Sequence, residues 1–428
     1  MEHKKTYLTE VVPPLTPITA IEEASRCLLC YDAPCSRDCP ANTNPGDFIR
    51  AIRFRNFKGA AEIIRTNNIL GGICGRVCPV ERLCEEACSR TGIDRPIEIG
   101  RLQRFATDYE EATNFKVLEA PKADKEKVAL IGSGPASLAC AAELAKKGYK
   151  TTVFDDKEKP GGVLTYGIVP SRIPDYVVEE EIKRIRDLGV EFKQNTRVGK
   201  DVSLDELWSQ GYKAFLVGTG LQKAIEVDVP GTDLDGVTYA LPYLYEARSS
   251  QGDFNPGEYV VIIGGGDVAM DCATTAKMLG AKKVTVLYRR TREEMPATKD
   301  EVRHCEEIGV QFAYTFHPAE VVGENGKVKA MRGSGSRDSS SIELQADRVV
   351  FAIGQEPEDQ TSISEDLSLS EERGFVIADE KTGKTNLPDV FAAGDIVGGA
   401  SKTVVHGIAA GKTAAESIDA YLTEERGK

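Results

Sequence analysis

The chain has 428 residues, of which 41% are hydrophobic and 28% are charged, and its formal net charge is −13. This length exceeds what one hydrophobic core supports, so we expect two to four domains. The acidic balance excludes a basic nucleic-acid-binding surface, and no apolar run is long enough to span a membrane. Because the N-terminus carries no apolar signal-peptide core, we expect a cytoplasmic protein.

Eight of the eleven cysteines lie in one N-terminal stretch of the chain. They form two runs, the first of Cys27, Cys30, Cys35 and Cys39 and the second of Cys74, Cys78, Cys84 and Cys88. Thiolates at these spacings are typical ligands of iron–sulfur clusters, and a Cys-Pro pair recurs in ferredoxin-type runs. Zinc is the alternative, since C-x2-C pairs also suit a tetrahedral zinc ion. The cysteine count by itself predicts two clusters with four cysteine ligands each.

Residues 1–120 are predicted to form an α-helical domain around these cysteines. Residues 46–66 carry apolar side chains at helical spacing, and few β-branched runs precede Val128. Residues 120–125 are typical of a linker, so we expect a second domain to begin near residue 125.

The first nucleotide-binding pattern begins at a predicted strand, residues 128–131. A glycine turn follows, then a helix to Lys147 and a second strand that ends before Asp155; the turn is Gly132, Ser133, Gly134, Pro135, Ala136 and Ser137. This order of elements is typical of a dinucleotide-binding βαβ unit. The glycines allow a pyrophosphate to approach the helix N-terminus, and Asp155 is predicted to accept hydrogen bonds from a ribose.

The second pattern begins at the predicted strand 260–263 and repeats the same order of elements. Its turn is Gly264, Gly265, Gly266 and Asp267, and its second strand, residues 284–288, is followed by Arg289 and Arg290. An NAD site would place an acidic residue there, whereas a cationic pair suits the 2′-phosphate of NADP. The alternative interpretation of the arginine pair is a solvated strand end.

Two such patterns, about 130 residues apart, predict a flavoprotein with one FAD site and one nicotinamide site. Near the C-terminus, Gly394 and Asp395 precede a predicted helix, and Asp395 is predicted to hold the ribityl chain of the flavin. The predicted fold class is α/β, with two Rossmann-like dinucleotide-binding domains preceded by the α-helical iron–sulfur domain. The predicted domains are 1–120 for the clusters, 125–245 and 358–428 for FAD, and 246–357 for NAD(P)H.

The remaining cysteines, Cys140, Cys272 and Cys305, are predicted to be small core residues. Cys272 is not part of a C-x-x-C motif, which argues against a disulfide relay of the thioredoxin reductase type. Residues 333–341 are predicted to form a hairpin loop rather than a linker.

Three stretches, 24–30, 54–61 and 97–105, resemble a family of pyridine-nucleotide-dependent flavoproteins that includes glutamate synthase small subunits and dihydropyrimidine dehydrogenases. The resemblance covers nearly the whole chain, and the second cysteine run is more similar to the dihydropyrimidine dehydrogenases. It implies two [4Fe–4S] clusters, one held by Cys27, Cys30, Cys35 and Cys88 and the other by Cys39, Cys78, Cys84 and Gln103. On this interpretation Cys74 is not a ligand.

The resemblance also implies contacts to the nucleotides. For FAD they fall on Gly132, Gly134, Pro135, Ala136, Asp155, Val163, Arg172, Val198, Gly394, Asp395 and Thr403. For NADPH or NADH they fall on Gly264, Gly265, Gly266, Asp267, Arg289, Arg290 and Gly354. The loop at residues 168–172 departs from the family pattern, which has proline directly after isoleucine.

The function implied by the resemblance is electron input to a dihydropyrimidine dehydrogenase. Hydride from NAD(P)H would reduce FAD, and single electrons would pass through two [4Fe–4S] clusters to a partner subunit in a hetero-oligomer. That partner would contain FMN and ferredoxin-type clusters and would reduce uracil or thymine. The alternatives are a glutamate-synthase-type or other reductase subunit with a different partner, and a zinc-stabilised nucleotide-binding scaffold.

Overall fold

A computed structural model of the chain describes residues 2–119, 121–335, 341–358, 371–399 and 401–427. The chain divides into two units, each built from separate segments. The first unit consists of Met1–Val11, Tyr166–Pro174 and Gln222–Glu356, and the second of Val12–Thr165, Asp175–Leu221 and Pro357–Lys428. Within the described residues, no helix is both long enough and apolar enough to cross a membrane.

The described helices and strands are numbered here in chain order. The helices are α1 (Glu2–Leu8), α2 (Pro17–Ser25), α3 (Pro34–Arg37), α4 (Pro45–Arg53), α5 (Phe57–Asn67), α6 (Gly71–Val77), α7 (Ile99–Thr113), α8 (Pro135–Lys146), α9 (Val163–Tyr166), α10 (Asp175–Asp187), α11 (Leu204–Ser209), α12 (Ala240–Ser249), α13 (Asp267–Met278), α14 (Lys299–Glu307) and α15 (Val404–Arg426). The strands are β1 (Lys127–Ile131), β2 (Lys150–Phe154), β3 (Glu191–Lys193), β4 (Tyr212–Val217), β5 (Lys223–Ala224), β6 (Val237–Tyr239), β7 (Tyr259–Ile263), β8 (Lys283–Tyr288), β9 (Gln311–Tyr314), β10 (Phe316–Glu324), β11 (Lys327–Gly335), β12 (Ser341–Gln345), β13 (Arg348–Phe351), β14 (Gln355–Glu356), β15 (Glu371–Glu372), β16 (Phe375–Val376) and β17 (Val390–Ala392).

Short helices of the second unit surround the two cysteine runs. The helical pattern predicted for residues 46–66 is confirmed, but it is divided between α4 and α5. The break occurs where Arg55 adopts a left-handed φ of 63° and the Asn56 side chain accepts a hydrogen bond from Gly59 N at 2.9 Å. A side-chain cap of this kind starts a new helix. The apolar side chains predicted to lie on one helix are therefore shared between α4 and α5.

The second unit also contains a parallel sheet in the order β17-β4-β1-β2-β3. Helix α8 connects β1 to β2, as a parallel pair requires a crossover. The C-terminal helix α15 packs against α8 so closely that a Cβ on Gly411 would lie 2.1 Å from the Ala136 carbonyl oxygen. The sheet therefore includes strands from both predicted pieces of the FAD domain. Residues 359–370, which belong to the predicted second piece, lie outside the described residues.

The first unit is built on a second parallel sheet in the order β6-β13-β7-β8-β9, with an antiparallel sheet β10-β11-β12 inserted. Ser334 pairs with Ser341 across the antiparallel strands β11 and β12, so residues 333–335 and 341 of the predicted hairpin loop lie in strands instead. Residues 336–340 lie outside the described part of the chain. Helix α1 belongs to this unit, where Tyr7 is completely buried in the core formed by α12 and α13. The first eleven residues are thus separate from the other helices predicted for residues 1–120.

The three scattered cysteines are core residues, as predicted. Cys140 lies in α8, Cys272 in α13 and Cys305 in α14, and each is fully buried. Burial raises the pKa of each thiol, with the Cys305 pKa raised to about 12, so none of the three is an active nucleophile at neutral pH.

A buried ion pair joins the cysteine helices to the nucleotide-binding part of the second unit. Arg65 of α5 is 1% exposed, and its guanidinium donates to Glu110 of α7 at 2.7 Å and to Glu181 of α10 at 2.6 Å. It also donates to the Ile69 carbonyl oxygen at 2.7 Å. Burial lowers the pKa of Arg65, but the two carboxylates together hold it above its usual range, so this buried cation bridges acids from two helices. Arg184 of α10 also contacts Glu110 at 3.5 Å and Glu181 at 3.9 Å.

We predict that Arg65→Met destabilises the second unit by about 3–5 kcal/mol, because the buried Glu110 and Glu181 would keep only the longer contacts to Arg184, at 3.5 Å and 3.9 Å. The measurement is denaturant unfolding followed by the fluorescence of Trp208, the single tryptophan of the chain, which lies in this unit. Lys58→Met is the control, since Lys58 forms an exposed pair with Glu62 and its loss should change stability by less than about 1 kcal/mol. Equal stability of the parent and Arg65→Met would contradict the prediction.

Candidate functional site

The first glycine turn, between β1 and α8, is shaped by close backbone contacts. Gly132 has a φ of 91°, and a Cβ there would lie 2.6 Å from the Gly218 carbonyl oxygen, so only glycine fits. Gly134 is the N-cap of α8, and the nearest atom to a Cβ at this position is 4.0 Å away. Pro135 occupies the first turn of α8, where its missing N–H costs nothing. The free helix N-terminus suits a phosphate group.

Three glycines that the sequence analysis did not assign complete this turn. Gly161 N donates to the Ser133 carbonyl oxygen at 3.1 Å, and a Cβ on Gly162 would lie 3.1 Å from the Gly134 Cα. Gly218 lies opposite Ser137, and a Cβ there would lie 2.3 Å from Ser137 Oγ. Two features of the sequence could have indicated these glycines, namely the Gly161-Gly162 pair and the Gly218-Thr219-Gly220 stretch.

Asp155 follows β2 directly, as predicted, and lies against the same turn. Its Oδ2 accepts from Ser133 N at 2.7 Å and from Ser133 Oγ at 2.6 Å, and its Oδ1 accepts from Lys157 N at 2.9 Å. Burial raises the pKa of Asp155, and these hydrogen bonds lower it. The carboxylate thus fixes the turn, and the predicted contact to a ribose remains a prediction.

The C-terminal residues predicted to contact FAD belong to the same unit as the first turn. Gly394 has a φ of 82°, and a Cβ there would lie 3.0 Å from the Ala136 Cβ. Asp395 is partly buried, which raises its pKa. Thr403 is the N-cap of α15, and its Oγ1 lies 2.7 Å from His406 Nδ1. Because α15 crosses α8 near Ala136, both helices begin in the same region.

The other predicted FAD residues are more dispersed. Val163 begins α9 and is 44% exposed, whereas Val198 is buried in the core of the second unit. Arg172 lies in the first unit, where its guanidinium binds Asp271 at 3.0 Å and Glu301 at 2.9 Å. Burial raises the pKa of Asp271 to about 7 despite the arginine beside it. Arg172 is therefore held by acids of the first unit, and its contact to FAD stays a prediction.

The second glycine turn, between β7 and α13, has the same construction. Gly264 has a φ of 149°, and a Cβ there would lie 2.2 Å from the Ala352 carbonyl oxygen. A Cβ on Gly265 would lie 2.4 Å from the Tyr288 ring. A Cβ on Gly266 would have no described atom within 4 Å. Asp267 Oδ1 accepts from Thr298 N at 2.8 Å. The turn leaves room for a ligand beside Gly266.

The two arginines predicted to select the cofactor directly follow β8. Arg289 and Arg290 are both exposed, and the Arg290 carbonyl oxygen accepts from Thr315 N at 3.0 Å. Gly354 follows β13 in the same unit, with a φ of 133°. The backbone thus fixes where the arginine pair lies, while both side chains remain accessible to a ligand.

Four cysteines from both runs converge on one pocket, which we call the first cysteine site. Cys27, Cys30, Cys35 and Cys88 all line this pocket, together with the apolar residues Ile49, Ile97 and Ile99. Burial, together with the nearby sulfurs of Cys88, Cys27 and Cys30, raises the pKa of Cys35 to about 11. Converging thiols that repel one another when ionised suit a cationic metal centre, so this donor set fits an iron–sulfur cluster.

Four cysteines of the two runs remain, and three of them, Cys39, Cys78 and Cys84, define what we call the second cysteine site. The fourth is Cys74. A hydrogen bond with Cys74 raises the pKa of Cys78, as do its burial and the neighbouring sulfurs of Cys74, Cys84 and Cys39. The backbone N of Thr43 lies 3.4 Å from Cys39 Sγ, and its hydroxyl oxygen is equally distant. This second set of thiols also fits a cluster by its donor chemistry.

Two residues compete for the fourth position at the second cysteine site. Cys74 lies in α6, is 3% exposed and accepts a hydrogen bond from Asn68 Nδ2 at 3.3 Å. Gln103 of α7 is buried too, and its Nε2 donates to the Gly71 carbonyl oxygen at 2.8 Å, which leaves its side-chain oxygen for a ligand. Both therefore remain candidates. Among the described residues, no three His, Cys, Asp or Glu side chains are grouped for a single metal ion.

Two family models match this chain. Residues 3–115 match the model described as dihydropyrimidine dehydrogenase domain II, 4Fe-4S cluster, and residues 126–411 match that of pyridine nucleotide-disulphide oxidoreductases. The fold and these matches define an oxidoreductase with a 4Fe–4S domain followed by a flavin- and pyridine-nucleotide-binding reductase domain.

Proteins of the same organisation are similar along their full length. The NAD-dependent dihydropyrimidine dehydrogenase subunit PreT of Escherichia coli K12 is 43% identical over 98% of this chain and 98% of its own. The glutamate synthase [NADPH] small chain of Azospirillum brasilense is 37% identical over 94% of this chain and 89% of its own. The chain belongs to the family of PreT-like dihydropyrimidine dehydrogenase subunits, to which the glutamate synthase small chains are related.

Two solved structures share the fold of the reductase part. Thioredoxin reductase of Lactococcus lactis matches with a TM-score of 0.56 and 22% identity, over 70% of this chain and 100% of its own. FprA of Mycobacterium tuberculosis, in complex with NADPH, matches with a TM-score of 0.60 and 18% identity, over 71% of this chain and 86% of its own. At these identities the likeness supports the two-sheet fold alone.

We predict that anaerobically purified protein carries about eight iron atoms, as two [4Fe–4S] clusters require. Cys74→Ser should leave the iron content nearly intact, whereas Cys78→Ser should lose one cluster. The measurement is iron and acid-labile sulfide per flavin. Equal losses from both variants would instead make Cys74 a ligand in place of Gln103, and stoichiometric zinc without iron would exclude electron transfer.

Proposed function

We propose that this chain is the electron-input subunit of a dihydropyrimidine dehydrogenase. The observation that carries the proposal is the convergence of Cys27, Cys30, Cys35 and Cys88 on one pocket, although Cys88 is 53 residues from Cys35 in the sequence. The pocket lies in the same unit as the first glycine turn. A redox centre there would be connected through one folded unit to a flavin.

The proposed roles of the residues follow from the geometry of each site. Gly132, Gly134 and the N-terminus of α8 would hold the FAD pyrophosphate, and Gly264 to Gly266 would hold the nicotinamide nucleotide. When bound, FAD would supply acceptance of hydride from NAD(P)H and donation of single electrons to clusters held at the two cysteine sites. The chain itself aligns the nucleotides and excludes water, so no acid–base side chain is assigned.

The cofactor preference is proposed from Arg289 and Arg290. Their exposed side chains follow β8, at the place where an NAD site would carry an acid. The PreT relatives are named as NAD-dependent and the glutamate synthase relatives as NADPH-dependent. The arginine pair favours NADPH for this chain, since a guanidinium binds a phosphate through two hydrogen bonds.

We predict a higher kcat/KM for NADPH than for NADH in reduction of the flavin. The double variant Arg289→Ala, Arg290→Ala should lower kcat/KM for NADPH more than tenfold, because each lost charge-assisted hydrogen bond costs about 1.5–3 kcal/mol. Its kcat/KM for NADH should change little. Arg303→Ala, on the exposed face of α14, is the control. A parent protein that prefers NADH would show that the pair is only a solvated strand end.

A partner subunit is proposed as the site of pyrimidine reduction. The PreT relatives are named as subunits, which supports a complex of more than one chain. The proposed partner contains FMN and ferredoxin-type clusters and receives electrons from the cysteine sites. A second candidate function is the small subunit of a glutamate synthase, favoured by the 37% identity to that relative.

We predict that the isolated chain reduces artificial electron acceptors with NAD(P)H but does not reduce uracil or thymine. Addition of an FMN-containing dihydropyrimidine dehydrogenase subunit should produce pyrimidine reduction. The measurement is oxidation of NAD(P)H that depends on uracil, with and without the partner. Uracil reduction by the chain alone would contradict the two-subunit proposal. Activity only with a glutamate synthase large subunit, glutamine and 2-oxoglutarate would favour the second candidate.

A further inference from the structure

Helix α15 connects the first glycine turn to the second cysteine site within one unit. It begins after Thr403, a predicted flavin contact, and Lys412 lies nine residues further along. At a rise of 1.5 Å per residue, Lys412 is about 14 Å along the helix from its N-cap. The lysine thus lies between the region predicted for the flavin and the cysteine helices.

The Lys412 ammonium group is fixed by two carbonyl oxygens of the cysteine helices. Its Nζ donates to Ala41 O at 2.7 Å and to Asn67 O at 2.6 Å. Ala41 is 1% exposed and lies two residues after Cys39, while Asn67 is the last residue of α5, whose carbonyl end carries partial negative charge. These contacts hold a cation beside the second cysteine site.

The surroundings of Lys412 include the Cys39 sulfur. Burial lowers the pKa of Lys412, as does the positive charge of Lys146, while the negative charges of Glu143, Cys39 and Glu416 raise it. A charge held away from bulk water acts more strongly on its neighbours than an exposed one does. The Cys39 sulfur also lies within reach of the Thr43 N–H and hydroxyl groups, at 3.4 Å each.

The first cysteine site has neighbouring cations of its own, Arg90 in the lining of the pocket and Arg53 beside it, and Arg53 provides the matched comparison. Arg53, at the end of α4, donates from Nη1 to the Cys27 carbonyl oxygen at 3.2 Å. Its positive charge acts on the Cys27 sulfur and lowers the thiol pKa, against the larger effect of burial. Each cysteine site therefore has a neighbouring cation from a different helix.

We propose that Lys412 sets the reduction potential of the cluster held at the second cysteine site. A fixed positive charge stabilises the reduced cluster, which carries one more negative charge than the oxidised form, so it raises the potential. The inference rests on the proposed function, because it requires a cluster at Cys39, Cys78 and Cys84. Lys412 acts through the surrounding electrostatic field and touches no reacting atom, so it is a tuning residue rather than a catalytic one.

The experiment is a redox titration of the full-length, anaerobically purified protein, followed by electron paramagnetic resonance, with iron content measured in parallel. Lys412→Gln keeps a hydrogen-bonding group but removes the charge, and Lys412→Arg keeps the charge. In Lys412→Gln, one of the two midpoint potentials should fall, so that the ratio of reduced to oxidised cluster decreases on the order of tenfold at a fixed potential. For a one-electron couple, tenfold corresponds to about 59 mV. Lys412→Arg should remain close to the parent.

Arg53→Gln is the matched control variant, and it should lower the other midpoint potential. Full iron content with both midpoints unchanged in Lys412→Gln would overturn the proposal. If Lys412→Gln loses iron, Lys412→Met is titrated in its place, and loss of iron from both would show that Lys412 only holds the site together. Parent protein without iron would instead refute the proposed function, so the two failures are distinguishable.

Discussion

The buried ion pair of Arg65 with Glu110 and Glu181 is the interaction that makes the cysteine helices part of the flavin-binding unit. A lone guanidinium or a lone carboxylate would be costly in this interior, and the pair is satisfied only when α5, α7 and α10 meet. Helices that carry metal ligands are thereby fixed against a helix of the nucleotide-binding part. The proposed electron transfer would need such a fixed relation, since a cluster and a flavin must keep their spacing.

Close backbone packing imposes the second constraint on this unit. Helices α8 and α15 approach until Gly411 contacts the Ala136 carbonyl group, which brings the N-termini of both helices to one region. The first glycine turn is closed by Gly218 in the same way. These contacts tolerate no side chain, so the nucleotide site is determined by glycines far apart in the chain. Further along α15, the Lys412 side chain links this helix to the cysteine helices through two hydrogen bonds.

The two nucleotide-binding turns were predictable because each depends on a local pattern. Strand, glycine turn, helix and second strand follow one another within about 30 residues in each case, and the physical reason for each glycine is local backbone geometry. The residues after the second strand differ, with Asp155 in the first pattern and Arg289 and Arg290 in the second. The predicted α/β fold class and the membership of the flavoprotein family are confirmed. Gly161, Gly162 and Gly218 were not predicted, because their contacts to the turn come from other segments. The break between α4 and α5 was not predicted either, because it depends on the side-chain cap of Asn56, and hydrophobic periodicity does not indicate helix caps.

The sequence by itself determined the classes of cofactor expected for this protein, because cysteine spacing and glycine turns are local patterns that indicate which ligand they suit. Cysteine spacing did not determine which cysteines share a site, since eight thiols in two runs permit several groupings, and the grouping of Cys88 with Cys27, Cys30 and Cys35 was implied only by the family resemblance. The tertiary structure places these four cysteines around one pocket. Likewise, the pairing of Arg65 with Glu181 and of Lys412 with Ala41 joins residues more than 100 positions apart. Such contacts arise from packing of distant helices, which no local pattern specifies.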